Sequence, residues 1–118
     1  MMTSSTTYNP GNVVSVRIRF TDGSKTKKRP AVILTGDDYH NSRTDAVVVA
    51  VSCQVGASYY GDYVLSDWKA AGLPLPSKAK GIISTIDRST IEHTFGNLSG
   101  RDFQQLKTCI RYILGLDT

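Results

Sequence analysis

Short apolar segments separated by turn-forming residues constrain this chain most, because each segment has the length of a β-strand. Residues 13–20 (VVSVRIRF) alternate, with the even-numbered apolar residues on one face and polar residues on the other, which predicts a half-buried strand. Residues 30–35 are continuously apolar, as expected for a strand buried on both faces. Residues 46–54 form the most β-branched run and predict another strand. Shorter strands are predicted at residues 63–66, 81–87 and 90–98.

Two connections carry turn signals rather than strand signals. Residues 36–45 (GDDYHNSRTD) are polar and predict a loop. Residues 66–76 (SDWKAAGLPLP) predict one or two helical turns, with Ser66 as the N-cap and Gly72 as the stop. The prolines that follow Gly72 forbid a longer helix at this position.

The spacing of apolar residues changes near the C-terminus. Between residues 98 and 116 the apolar side chains recur every three or four residues, at Phe103, Leu106, Ile110 and Ile113. This spacing predicts an amphipathic helix, with Ser99 and Asp102 as a capping box and Gly115 after the last turn. The whole pattern predicts a mainly β (α+β) protein: a small, curved, partly open antiparallel barrel with a short internal helix and a C-terminal helix.

Length and composition indicate one domain. A chain of 118 residues builds a single core without metals or disulfides, and we expect a domain over residues 11–118. Residues 1–10 are polar and predict a disordered or frayed tail rather than a secretory signal. Without a long apolar run we expect no membrane segment and a cytoplasmic location. Cys53 and Cys109 stand in apolar contexts without metal-ligand spacing, so we expect buried free thiols and neither metal nor cofactor.

Positive charge is concentrated in one stretch of the chain. Residues 11–30 carry six cations against the single anion Asp22, a local charge of +5 where the whole chain carries +4. Four of those cations lie within positions 25–29, directly before the apolar run at 30–35. Such an excess favours an anionic partner, either nucleic acid or an acidic protein tail. A solvated loop with no partner is the alternative that charge alone leaves open.

Several segments, taken in order, resemble the toxin family called MazF, PemK or Kid. The opening GNVVSVRIRFTDGSKTKKRPAVIL is similar to the family's first strand, Gly-Ser loop and Arg-Pro-hydrophobic strand. AVSCQ resembles the family's third-strand ending, STIDRSTI its Arg-Thr-Ile-Asp segment, and GNLS the approach to its last helix. The resemblance covers residues 11–116. It implies an SH3-like barrel, a homodimer, and a toxin that cuts single-stranded RNA without metal and is neutralised by an antitoxin.

The resemblance assigns two catalytic candidates, and their chemistry supports the assignment. Arg29 matches the family's catalytic arginine, and Ser52 matches its threonine at the end of the third strand. A guanidinium is planar, permanently charged and bidentate toward phosphate, and Pro30 restricts the backbone beside it. A hydroxyl at Ser52 would hydrogen-bond a phosphate oxygen. The alternatives are a surface ion pair for Arg29 and a buried hydroxyl bonded to backbone for Ser52.

Further residues are candidates for binding RNA rather than for catalysis. They supply positive charge or a side-chain amide near the catalytic pair: Lys25, Lys27, Lys28, Gln54 and Lys80. The lysines at 25–28 would attract phosphates, with a merely solubilising loop as the alternative. Tyr59 and Tyr60 either stack on unpaired bases or pack against a partner subunit.

The chain departs from the family pattern at three positions, with Asn12 for aspartate, Ser52 for threonine and Ser84 for arginine. We therefore keep two other hypotheses. One is a non-enzymatic inhibitor of a protein target of the topoisomerase type, because a fold alone does not settle function. The other is an RNA-binding module with a decayed site. In the leading hypothesis, an acidic, partly disordered antitoxin tail covers the basic groove.

Overall fold

An antiparallel sheet of six strands organises the part of the chain that this computed structural model describes, residues 7–19 and 26–116. The elements follow in the order β1 (Asn12–Arg19), β2 (Thr26–Ile33), α1 (Asp37–Ser42), β3 (Asp45–Ser52), β4 (Tyr63–Val64), β5 (Lys78–Asp87), a 3₁₀ turn (Arg88–Thr90), β6 (Ile91–Asn97) and α2 (Gly100–Leu114). The strand order is β4-β5-β3-β2-β1-β6, with β4 and β6 at open edges. The predicted fold class is confirmed.

Both faces of the central strands are buried, which accounts for their apolar sequences. One cluster includes Val13, Val32 and Val49, and Phe103 and Ile110 of α2 pack against it. The other contains six buried residues, Val14, Val16, Ala31, Ile33, Ala46 and Val48, with Tyr8 packed against it. In β2, residues 31–33 are all buried, as predicted for a strand covered on both sides.

The prediction for the first strand is wrong over its first half. Residues 13–16 of β1 are all buried, including Ser15 on the face that we expected to meet solvent. The reason is the position of β1 between β2 and β6, where core clusters cover both faces. Arg17 is exposed, as the alternation predicted.

The short internal helix is not where the sequence predicted it. Residues 36–45, predicted to be a loop, contain α1, whose first turn carries Asp37 and Asp38. Residues 66–76 form turns instead of a helix, and the main chain of Ser66 donates a hydrogen bond to Asp102. Helix α1 has only 6 residues, and within it only His40 is buried, so it leaves no apolar period in the sequence.

The C-terminal helix begins and ends as predicted. Ser99 Oγ accepts a hydrogen bond from the Asp102 main-chain nitrogen (3.1 Å), and Gly115 takes a left-handed conformation (φ +68°) after the last turn. The side chain of Asp102 does not complete the capping box. It is fully buried and accepts hydrogen bonds from Tyr63 Oη (2.7 Å) and from two main-chain nitrogens, those of Ser66 (3.0 Å) and Asp67 (2.7 Å). Asp102 therefore ties the start of α2 to the segment after β4.

Two further expectations concern the chain ends and the thiols. Residues 1–6 of the predicted tail lie outside the described residues, so the boundary at residue 11 stays a prediction. Within the described residues, no helix has the length and apolar character needed to cross a membrane. The prediction of two buried thiols is wrong for Cys53, which is exposed because it follows the last residue of β3. Cys109 is half-buried, and burial raises the pKa of its thiol.

Candidate active site

A cavity of about 510 Å³ lies at the end of the β2–β3 ladder, beyond the pair Ala31 and Ala50. Its polar wall brings together four of the predicted site residues, Arg29, Ser52, Gln54 and Lys80. The rest of the wall consists of Pro30, Ala50, Val51, Cys53, Leu73, Pro74, Leu75, Ser77 and Phe95. The segment 73–75 supplies an apolar side that sequence analysis did not assign to the site. The cavity thus combines two cations and a hydroxyl with apolar surface.

Arg29 is positioned by strand β2 and by the proline that follows it. In the β1–β2 ladder, Arg29 pairs with Val16 of β1, and Pro30 pairs with Ser15. Arg29 is exposed, and its guanidinium makes no hydrogen bond or ion pair with the residues that the structure describes. The alternative of a surface ion pair is therefore not observed there, and the five guanidinium donors are available to an anion.

Ser52 is the last residue of β3 and is half-buried. Its Oγ accepts a hydrogen bond from the main-chain nitrogen of Gln54 (3.1 Å). Because a hydroxyl both accepts and donates, this contact orients the oxygen and leaves its hydrogen for another acceptor. The alternative, a buried hydroxyl bonded to the backbone, is observed only in part. The hydroxyl does bond the backbone, but Ser52 is half-buried and lines the cavity.

Lys80 reaches the cavity from an irregular part of β5. Ala79 pairs with Val51 and Ile83 with Val49, so three residues of β5 lie opposite Ala50 alone. Such a bulge bends a strand and redirects its side chains, and bulges are frequent beside active sites. The predicted strand at 81–87 begins earlier, at Lys78, and this extension is what places Lys80 within the sheet.

Lys27 and Lys28 of the basic stretch do not line the cavity. Lys27 and Lys28 are exposed on β2 before Arg29, and Lys28 Nζ is 3.3 Å from Glu92 Oε1. Glu92 also pairs with Arg17 (2.7 Å), and hydrogen bonds from Arg17 and then from Lys28 lower the pKa of Glu92, although burial opposes them. Lys25 lies outside the described residues. The charge of this stretch is therefore partly neutralised across β1, β2 and β6.

A second cavity, of about 320 Å³, adjoins the first and shares Pro30 and Ala50 with it. Ser84, which stands where the resembled family has arginine, lines this second cavity and not the one that holds Arg29. Serine in place of arginine at position 84 therefore alters the lining of the second cavity and not that of the cavity of Arg29.

Sequence analysis missed a buried ion pair beside the site. Lys78 Nζ lies 2.7 Å from Asp62 Oδ2, and both side chains are only 4% exposed. Burial by itself raises the pKa of Asp62, but hydrogen bonds from Lys78 and from the main-chain nitrogens of Gly81 and Tyr59 outweigh it, so the pKa is lowered. No sequence signal distinguishes these two residues from exposed charges, because lysine and aspartate are seldom buried.

The histidines do not form a catalytic pair. His40 lies on α1, where its Nε2 is 2.7 Å from Thr35 Oγ1, and His93 lies on β6 against the ring of Phe95. Neither lines the cavity of Arg29. Among residues 7–19 and 26–116, no three histidine, cysteine, aspartate or glutamate side chains are grouped so as to hold a metal ion.

Solved structures with a similar fold include an endoribonuclease bound to its antitoxin and MazF proteins. An endoribonuclease in complex with its cognate antitoxin, from a mycobacterial species, superposes with a TM-score of 0.75 at 16% identity, covering 94% of this chain and 98% of that one. A MazE–MazF complex from Deinococcus radiodurans gives 0.75 at 16% identity, covering 93% and 98%. The Mycobacterium tuberculosis toxin MazF-mt6 gives 0.69 at 20% identity, covering 89% and 99%. At these identities the likeness defines the fold.

Sequence comparison then identifies the family. The model of the PemK-like, MazF-like toxins of type II toxin–antitoxin systems matches residues 9–114. The chain belongs to this family and is a toxin of that class, which confirms the resemblance seen in the sequence. No curated protein sequence matches the chain.

Proposed function

We propose that this toxin is a sequence-selective endoribonuclease that cuts single-stranded RNA without a metal ion. The observation that carries the proposal is the convergence of the Arg29 guanidinium, the Ser52 hydroxyl and Lys80 on one cavity. A phosphodiester entering this cavity would meet two cations and an oriented hydroxyl donor. The mycobacterial structural neighbour described as an endoribonuclease adds support through the shared fold.

The reaction needs no nucleophile from the protein. The ribose 2′-oxygen attacks the adjacent phosphorus and loses its proton, and the bond from phosphorus to the 5′-oxygen breaks. The 5′-oxygen takes up a proton, so the products are a 2′,3′-cyclic phosphate and a 5′-hydroxyl. Arg29 would stabilise the negative charge that develops on the phosphorane oxygens, and Ser52 would donate a hydrogen bond to one of them. Lys80 would hold a neighbouring phosphate.

We further propose that an antitoxin is the physiological inhibitor. One structural neighbour is an endoribonuclease in complex with its cognate antitoxin, from a mycobacterial species, and another is a MazE–MazF complex from Deinococcus radiodurans. An acidic, partly disordered antitoxin segment would complement the cations of the cavity and exclude RNA from them. Competition between RNA and antitoxin for Arg29 is the expected basis of neutralisation, in the cytoplasm where messenger RNA is available.

We also propose that the toxin acts as a homodimer. Apolar side chains at the end of the chain are more than half exposed, namely Tyr112, Leu114 and Leu116. Exposed apolar groups gathered at one end of α2 favour association. Sedimentation or light scattering of the purified chain would measure the mass, and a monomer at micromolar concentration would contradict the proposal.

Cleavage of an unstructured RNA pool in EDTA is the decisive test. We expect defined fragments with 2′,3′-cyclic phosphate and 5′-hydroxyl ends, and no cutting of the same sequences made with 2′-O-methyl ribose. Mapping the ends yields the recognised sequence. Intact RNA after long incubation would remove the assignment. Tight binding of a topoisomerase-type target would then favour the protein-inhibitor hypothesis, and salt-dependent RNA binding without product would favour a decayed site.

A further inference from the structure

The loop of residues 53–62, which joins β3 to β4, has an unusual anchor. The buried ion pair of Lys78 and Asp62 lies beneath it, with both side chains 4% exposed. Burying two charges costs desolvation energy that their attraction only partly returns, and a buried pair can often be replaced by apolar groups without loss of stability. Stability alone therefore gives a weak reason for this pair.

All of the hydrogen bonds that the pair makes within the described residues fix this loop and β5. Lys78 Nζ donates to the carbonyl oxygen of Ala57, and Asp62 Oδ2 accepts from the main-chain nitrogen of Tyr59 (3.1 Å). Asp62 Oδ1 accepts from the main-chain nitrogen of Gly81 (2.9 Å) on β5. The main chain of the loop is thus fastened at its middle and at its end.

The loop also approaches β5 too closely for a side chain. A Cβ atom placed on Gly81 would lie 2.8 Å from the carbonyl oxygen of Tyr60. This distance is shorter than any ordinary contact, so glycine is needed at position 81 for the loop to rest on the strand. Gly81 lies next to Lys80, which lines the cavity of Arg29.

Although its main chain is fixed, the loop exposes two aromatic rings. Tyr59 is 72% exposed and Tyr60 is 78% exposed. Lys78 Nζ lies 5.8 Å from the centre of the Tyr59 ring, within reach of a cation–π attraction that orients the ring. Exposed rings on a rigid main chain suit stacking on unpaired bases, because little conformational freedom is lost on binding.

The position of the loop relates it to the proposed chemistry. It leaves β3 at Cys53 and Gln54, which line the cavity, and Lys78 pairs with Ser52 in the β3–β5 ladder. Resting on the proposed endoribonuclease function, we propose that residues 53–62 form a base-stacking platform for single-stranded RNA beside the scissile phosphate. Tyr59 and Tyr60 would contact the bases, and Lys78 and Asp62 act as positioning residues.

Binding by the full-length protein to a fluorescent, unstructured 2′-O-methyl oligoribonucleotide of mixed sequence tests the platform without cleavage. We expect Tyr59→Leu with Tyr60→Leu to weaken binding about 30-fold or more, since each of the two base stacks contributes at least about 1 kcal/mol. The matched control, Tyr59→Phe with Tyr60→Phe, keeps both rings and should bind within about threefold of wild type. On cleavable RNA the leucine variant should raise KM and leave kcat nearly unchanged.

A second pair of variants separates positioning from folding. Lys78→Met with Asp62→Leu removes both charges together, so neither is left buried alone, and the variant should still fold, as circular dichroism would show. Its Tm should fall modestly, because the main-chain nitrogens of Tyr59 and Gly81 lose their acceptor. We expect faster amide hydrogen exchange at residues 57–61 and a KM raised at least about tenfold. The single Gly81→Ala variant should show the same two changes, because it displaces the loop by a different route.

These experiments distinguish a failure of the stacking platform from a failure of the endoribonuclease assignment. If the wild type cuts RNA and the leucine variant shows unchanged KM and unchanged oligonucleotide binding, the platform is overturned and the enzyme assignment stands. If the wild type binds oligonucleotide through the tyrosines but cuts nothing, the platform stands and the enzyme assignment is lost. Loss of self-association or of antitoxin binding, with RNA binding intact, would show that the rings contact protein and would also overturn the platform.

Discussion

Arg29 and Ser52 each lie two residues beyond Ala31 and Ala50, the last pair of the β2–β3 ladder, and both line the same cavity. Both side chains are therefore carried by adjacent strands of the sheet and not by a loop. A slip of one residue would turn either side chain to the other face of the sheet. Groups mounted on strands in this way are well suited to hold a phosphate in one geometry.

Removing the Arg29 side chain should abolish catalysis while preserving the fold. We expect Arg29→Ala to lower kcat/KM for RNA by about 10³-fold, the size typical of arginines that stabilise phosphoryl transition states. Arg29→Lys keeps the charge but loses the bidentate geometry, and should lower it by about 10²-fold. Lys107→Ala, an exposed cation on α2 that does not line the cavity, is the matched control and should change kcat/KM less than about threefold. Equal activity of Arg29→Ala and wild type would refute the site.

Two substitutions should separate the effect of the Ser52 hydroxyl on catalysis from the effect of side-chain size. Ser52→Ala removes the hydrogen-bond donor and should lower kcat by about 10²- to 10³-fold. Ser52→Thr adds a methyl group that restricts the side-chain rotamer, and it should retain or raise kcat because the hydroxyl remains. Single-turnover cleavage measures the rate of each variant, and circular dichroism checks that each variant is folded. A Ser52→Ala enzyme with full kcat would show that the hydroxyl only bonds the Gln54 main chain.

Asp102 should be a determinant of stability rather than of chemistry. Asp102→Ala removes a fully buried acceptor from three part-buried hydrogen bonds, those donated by Tyr63, Ser66 and Asp67, and should lower the free energy of unfolding by about 2–4 kcal/mol. Denaturant unfolding measures the loss. Asp38→Ala, on the exposed first turn of α1, is the control and should change it by less than about 0.5 kcal/mol. A loss below about 1 kcal/mol for Asp102→Ala would contradict the role assigned to this carboxylate.

His40 should make the free energy of unfolding depend on pH as the pH falls below 6.5, the ordinary pKa of histidine. Its burial, and secondarily the nearby Arg88 guanidinium, lower the pKa of His40 below the ordinary value of 6.5. The folded state therefore binds fewer protons than the unfolded state, and the stabilisation is present above pH 6.5 and decreases as the pH falls through that value. We expect His40→Gln to flatten this dependence.

The chain provides its own control, because His93 is its only other histidine and is exposed. His93→Gln should keep the pH dependence of the free energy of unfolding. Urea denaturation at a series of pH values measures both variants. A steep dependence that persists in His40→Gln and disappears in His93→Gln would reverse the assignment.

Strong local patterns were predicted well and weak ones were not. Helix α2 combines a regular apolar period with Ser99 and Gly115 at its ends, so the sequence predicts both bounds. Helix α1 is too short to show a period, and the turns at 66–76 resemble a helix start because Ser66 precedes an alanine-containing segment. In β1, alternation predicted one buried face, whereas contacts from distant segments buried Ser15 as well.

The sequence by itself determined the class of fold and the part of the chain that becomes α2, because these depend on periodicity and capping within a few residues. Its resemblance to the toxin family also gave Arg29 and Ser52 as candidates for the site. Only the tertiary structure decided that Gln54 and Lys80 join Arg29 and Ser52 at one cavity, that Lys28 is paired with Glu92, and that Lys78 and Asp62 are buried together. These relationships arise from strand order and a bulge in β5, which bring together residues far apart in the chain. Burial of a charge is a property of such surroundings, and no local pattern of residues encodes it.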